Sequence, residues 1–202
     1  MDVMGQSDVS IELYLFQRAK HLQYHCGDQV FLKEDETGFL CAIVDGLGSG
    51  KEAEKAAKAV VEAIAANSAL PNIGDIVARA NEALIGLRGA AIAIWRGDWN
   101  EQSITYCGIG NIRFYLLGTD DALVFPISST GFLSGRRQKI RTQKFQYKPG
   151  SKFLMHSDGL TLAGVKRYLF TTNSVESTGH CIEGNVMDIP EDDVTFLVGE
   201  FK

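Results

Sequence analysis

The chain has 202 residues, 45% of them hydrophobic and 22% charged, with a net charge of −5 at neutral pH; this predicts a single globular domain over residues 1–202 with a sizeable core. The acidic balance argues against a nucleic-acid partner. The absence of any apolar run near the roughly 18 residues of a membrane span, and of a basic-then-apolar leader, predicts a cytoplasmic protein without a membrane partner. Cys26, Cys41, Cys107 and Cys181 stand singly, with no C-x-x-C pair, as expected of reduced thiols rather than a zinc site.

In chain order, Ile11 to Phe16 predicts a strand with Ile11, Leu13 and Leu15 on one face and Glu12 and Tyr14 on the other. Gln29 to Lys33 and Phe39 to Val44 predict two strands joined by a charged turn closing at Gly38. An antiparallel pair joined there sets Asp28 beside Asp45. Ser49 and Glu52 form a capping-box pattern ahead of Ala53, Ala56, Ala57, Val60, Val61 and Ile64, which predicts an amphipathic helix. A second helix follows Asn72, carrying Ile73, Ile76, Val77, Ala80 and Leu84 against the same sheet face. Beyond Ala90 the pattern shortens to runs over 90–95, 103–107, 112–117, 122–125, 140–147 and 152–157, read as an antiparallel meander. Residues 160–189 predict one or two short helices, and Val194 to Gly199 a last strand.

Asp28 and Asp192 precede strands, whereas Asp45 and Asp158 follow them. In a sheet of alternating strands both kinds of end lie on one rim, so the four carboxylates converge. Gathered like charges raise one another's pKa unless cations compensate. Oxygen-only ligands favour Mg²⁺ or Mn²⁺ over zinc, and Gly46 offers a backbone carbonyl as a further ligand. Two such ions activate a bridging water for in-line attack on a phosphoryl group. Asp-Gly pairs are also ordinary turn chemistry; four strand-end aspartates in one consistent arrangement favour the metal reading.

The stretches Cys26-Gly27-Asp28, Val44 to Gly50, Gly110-Asn111, His156-Ser157-Asp158-Gly159 and Asp192-Asp193-Val194-Thr195 resemble, in order, the motifs of PP2C-type metal-dependent protein phosphatases in their SpoIIE-like branch. The small size, with Gly110 to Phe114 and Ser129 to Gly135, looks most like the RsbX-type phosphoserine phosphatases. The resemblance implies an α+β fold, a four-layer α/β-β/α sandwich of two mainly antiparallel sheets flanked by helices. It also implies two Mn²⁺ or Mg²⁺ ions in the cleft between the sheets. Asp45 would bridge the ions, Gly46 would give its carbonyl, Asp158 and Asp192 would complete one site, and Asp28 would hold metal-bound water. Asp193, Asn111 and His156 would stand behind these ligands. The implied substrates are phosphorylated regulatory proteins of the stressosome type, with dephosphorylation resetting the general stress sigma-factor pathway. The chain departs from many relatives at three positions: Leu47 in place of a histidine proposed as general acid, Gln23 in place of a phosphate-binding arginine, and Asn111 in place of an aspartate that supports a third ion.

Other readings compete. Gly48-x-Gly50-x-x-Ala53 formally matches a dinucleotide fingerprint, but Asp45 would set negative charge beside the pyrophosphate and a second helix replaces the βαβ return. His156 is read either as a proton carrier or as a packed histidine. Arg136 and Arg137, in the basic run 135–141, are read as a substrate-docking cluster or as a solvated loop. At the level of function, a catalytically silent metal-stabilised phosphoprotein-binding module and a phosphatase of an anti-sigma-factor antagonist stand as alternatives.

Overall fold

The computed structural model describes residues 11–171 and 174–202. Its strands form two antiparallel sheets of five. The first has β1 (Ile11–Arg18), β10 (Val194–Phe201), β9 (Lys152–His156), β6 (Arg113–Leu117) and β7 (Leu123–Val124) in that order; the second has β2 (Asp28–Asp35), β3 (Gly38–Gly46), β4 (Ala90–Asp98), β5 (Ser103–Ile109) and β8 (Gln143–Gln146). Helices α1 (Lys51–Ala66) and α2 (Ile73–Glu82) cover the second sheet, and α3 (Val165–Thr171) and α4 (Val175–Glu183) the first.

Alternation along the strands produces the layers. On β3, Leu40, Ala42 and Val44 face α1 and α2, while Phe39, Cys41 and Ile43 face the other sheet. On β9, Phe153 and Met155 enter the layer between sheets and Leu154 meets the second helix pair. The result is the expected helix-sheet-sheet-helix sandwich. No helix among the described residues is long and apolar enough to cross a membrane.

Three local expectations change. Helix α1 starts at Lys51 after Gly50, whose φ of +69° places it at the N-cap without a side-chain cap, so Ser49 is not the capping residue. Asn72, by contrast, caps α2 as expected, its side chain accepting from Gly74 N at 2.8 Å. The run beyond Ala90 is not one meander, because β4, β5 and β8 join one sheet while β6, β7 and β9 join the other. Local periodicity shows each strand but not its sheet. Tyr14, expected on a polar face, packs on α4: a Cβ on Gly179 would lie 2.2 Å from its ring. Phe16, on the same face of β1, stacks on Phe196 at 5.2 Å, while Ile11 and Leu13 on the other face pack into the layer between the sheets.

Candidate active site

Four segments bring the carboxylates to one end of the sandwich. Asp28 opens β2 and Asp45 lies opposite it on β3, the two paired across the ladder. Asp158 follows β9 and Asp192 precedes β10, neighbouring strands of the facing sheet. Glycines permit the crowding. A Cβ on Gly46 would fall 2.0 Å from the Ala53 carbonyl oxygen of α1, and one on Gly159 would fall 2.2 Å from that of Asp193.

The carboxylates differ in depth. Asp28 is 1% exposed, and its Oδ2 has no hydrogen-bond partner. Burial, and then the charge of Asp45, push its pKa well above the usual value, with the Ser157 and Thr195 hydroxyls acting in the opposite direction. Asp45, half-buried, is raised to about 7 by burial and by Asp158, Asp192 and Asp193, against a smaller opposing effect of Lys20. Asp158 and Asp192 stand exposed at the mouth, where a pocket of about 290 Å³ opens beside them along Leu160, Met187 and Pro190.

The mouth carboxylates have other partners. Asn111 Nδ2 donates to Asp158 Oδ2 at 2.6 Å, and Lys20 Nζ lies 2.9 Å from Asp192 Oδ1. Accordingly, among the described residues no three His, Cys, Asp or Glu side chains are drawn into one cation-ligating group. The donor set nonetheless suits hard dications. Its ionisable groups are all carboxylates, one holds an unpartnered buried oxygen, and their mutual repulsion calls for positive charge.

Asp193 does different work from its neighbour. Its Oδ2 accepts from Gly27 N at 2.7 Å and its Oδ1 from Lys20 N at 2.9 Å, tying the β1–β2 connection to the start of β10. His156 is 3% exposed; its Nδ1 pairs with Ser157 O at 2.7 Å and its ring stacks on Tyr115 at 5.9 Å. Burial lowers its pKa, consistent with a packed neutral ring. Arg136 and Arg137 are exposed, away from the carboxylates' own hydrogen bonds, with the Arg136 carbonyl held by Asn81 of α2.

Lys20 was not marked by sequence reasoning. It sits in a short turn, Lys20–Leu22, outside every motif, and only tertiary structure brings it to Asp192. Ser157 and Thr195 belong to the quoted motifs, but no spacing argument aims their hydroxyls at Asp28. Arg88 was missed as well. Its guanidinium lies over Gly48, 2.5 Å from where a Cβ would be, and nothing in the chain order joins these positions.

The family model of "Stage II sporulation protein E (SpoIIE)" matches residues 35–202. The chain belongs to the SpoIIE family. Within it, the chain is 33% identical over 200 residues to phosphoserine phosphatase RsbX of Bacillus subtilis (strain 168), covering 99% of this chain and 100% of that one. A crystal structure of RsbX in complex with magnesium matches with a TM-score of 0.90 at 32% identity, covering 96% of this chain and 99% of that one. A structure of the PP2C phosphatase domain and a fragment of the regulatory domain of SpoIIE from Bacillus subtilis matches with a TM-score of 0.81 at 15% identity, covering 96% of this chain and 64% of that one. The PP2C-type, SpoIIE-branch resemblance and the α+β sandwich read from the motifs therefore hold.

Proposed function

We propose that this SpoIIE-family chain is a metal-dependent phosphoserine phosphatase, folded as one domain and working in the cytoplasm. Its substrates are phosphorylated regulatory proteins of a stressosome-type assembly, whose dephosphorylation damps general stress sigma-factor signalling. The observation that carries the reading is the buried, unpartnered Asp28 Oδ2 beside an Asp45 whose pKa is raised to about 7, with two further carboxylates at the mouth.

Asp28, Asp45, Asp158, Asp192 and the Gly46 carbonyl are the groups that would hold two Mn²⁺ or Mg²⁺ ions. When bound, such ions supply Lewis acidity and a water of lowered pKa for in-line attack on a phosphoryl group. Asp28 would hold that water from its buried position, its carboxylate steadied by the Ser157 and Thr195 hydroxyls. Asp193 holds Gly27 and Lys20 in place, and so sets the depth at which Asp28 stands. Lys20, paired with Asp192 at 2.9 Å, neutralises part of the acidic rim. Leu47 has no ionisable proton to give, so the departing seryl oxygen takes one from water or from another group.

Phosphate release from phosphoserine proteins of the stressosome type tests the proposal directly, in EDTA and then with Mn²⁺ restored. Release only with Mn²⁺ is expected. A protein that binds the phosphoprotein with Mn²⁺ present yet never frees phosphate would be the binding module instead.

A further inference from the structure

We infer that the rim built by the α2–β4 turn and the segment after Ser128 docks an acidic stretch of polypeptide flanking the phosphoserine. Arg88, Arg136 and Arg137 would meet its carboxylates, and Ile85 and Phe132 would take an apolar side chain. The inference rests on the phosphatase reading for what sits in the cleft.

The rim is fixed to the catalytic end. Leu47 N donates to Gly89 O at 2.8 Å, and Ala90 and Leu133 exchange backbone hydrogen bonds at 2.9 and 2.8 Å. Asn81, 6% exposed, anchors the segment from below. Its Oδ1 accepts from Ser134 N and Gly135 N at 3.0 and 3.1 Å, and its Nδ2 donates to Arg136 O at 2.9 Å. Two glycines bring the layers into contact. A Cβ on Gly89 would lie 2.4 Å from the Phe132 ring, and one on Gly135 would lie 2.9 Å from Ile85. A surface pinned this way loses little entropy when a partner lands on it.

Chemistry selects the partner. Ile85, packed against Gly135, is 72% exposed and Phe132, packed against Gly89, is 46% exposed. Arg88 projects over Gly48, in the loop that follows Asp45. Among the described residues the guanidinium groups of Arg88, Arg136 and Arg137 make no hydrogen bond or ion pair. On a chain of net charge −5, these three exposed arginines, one of them over the loop that follows Asp45, form a local field of opposite sign. Without them an acidic substrate would be repelled from the mouth; with them it is steered in and held by guanidinium–carboxylate pairs. Exposed apolar side chains ringed by such charges have the composition of a docking anchor.

Two phosphoserine peptides test this, identical except that the Asp and Glu flanking the phosphoserine in one are Lys in the other. Wild-type protein with Mn²⁺ should favour the acidic peptide in kcat/KM by about tenfold, a preference that falls as salt rises. The double variant Arg88→Glu with Arg136→Glu should reverse the order. Ile85→Ser with Phe132→Ser should weaken both peptides and leave their ratio alone. A wild-type ratio near one, or a ratio untouched by charge reversal, overturns the proposal. Fluorescence anisotropy of the same labelled peptides in EDTA reads the preference without turnover. A binding preference without any phosphate release would sink the phosphatase reading and keep the docking surface; phosphate release without preference would do the reverse.

Discussion

Along β4 the two sheets meet through aromatic rings: Trp95 is fully buried among Phe39, Phe114, Phe153 and Phe201, with ring centroids 5.0 to 6.0 Å away. At the rim the same sheets meet through Asp28, Ser157 and Thr195, with three more carboxylates outside. Each region holds one buried polar atom without a partner, Trp95 Nε1 in the first and Asp28 Oδ2 in the second. The indole is neutral, and dense packing around it offsets its loss of water. A carboxylate has no such remedy and must take a proton or a cation. The sandwich therefore draws its stability from the aromatic layer and keeps at its rim a charge deficit that metal ions are suited to fill.

Substitutions on either side sharpen this contrast. The largest effect belongs to Asp45→Asn, which should reduce phosphate release to background while leaving the metal-free fold at least as stable as before, since a repelling carboxylate is gone. Near-normal turnover would show that the rim charge is not catalytic. Next comes Trp95→Ala, expected to cost about 3–5 kcal/mol in urea unfolding while the response to Mn²⁺ survives; a loss of metal response without a loss of stability would invert the roles of the two regions. Smaller is Asp193→Ala. It strips the acceptor from Gly27 N and Lys20 N and should cost about 1–3 kcal/mol for the buried donor left bare. Because it also loosens Asp28, KM for Mn²⁺ should rise with it, and an unchanged metal dependence would separate the brace from the site.

The gentlest probe is pH. Asp45 is raised from its ordinary value to about 7, so the folded protein holds this proton more tightly than the unfolded chain does. Stability in EDTA should accordingly decline as pH rises from about 4 to about 7 and level off above. Asp45→Asn removes this contribution, and the difference between the two melting curves isolates it. A difference that stays flat over that window would mean that Asp45 is neither buried nor crowded by its neighbouring carboxylates as described.

Much of this was legible beforehand because strand-end aspartates are a local signal. Asp28 and Asp45 follow from one hairpin whose turn, 33–38, marks its own register, and β2 and β3 pair them as expected. The layers were legible from alternation on β3 and from the helical stripes of α1 and α2. The division of β4 to β9 between two sheets was not, since β5 and β6 are separated by only a short Gly110-Asn111-Ile112 link that crosses from one to the other. Lys20, Arg88 and the Asn81 anchor were hidden for a related reason. Each acts on a segment distant in sequence, and nothing in its neighbours distinguishes it from an ordinary surface or helix residue.

The dication site is read out by the melting temperature in EDTA and after addition of Mn²⁺, at about pH 8 where Asp45 is ionised. Wild-type protein should gain about 2.7 kcal/mol when Mn²⁺ reaches a hundredfold excess over its Kd, and Asp45→Asn should lose most of that gain. Equal stabilisation of both proteins by Mn²⁺, or none in wild type, would contradict the claim that these gathered carboxylates are a dication site.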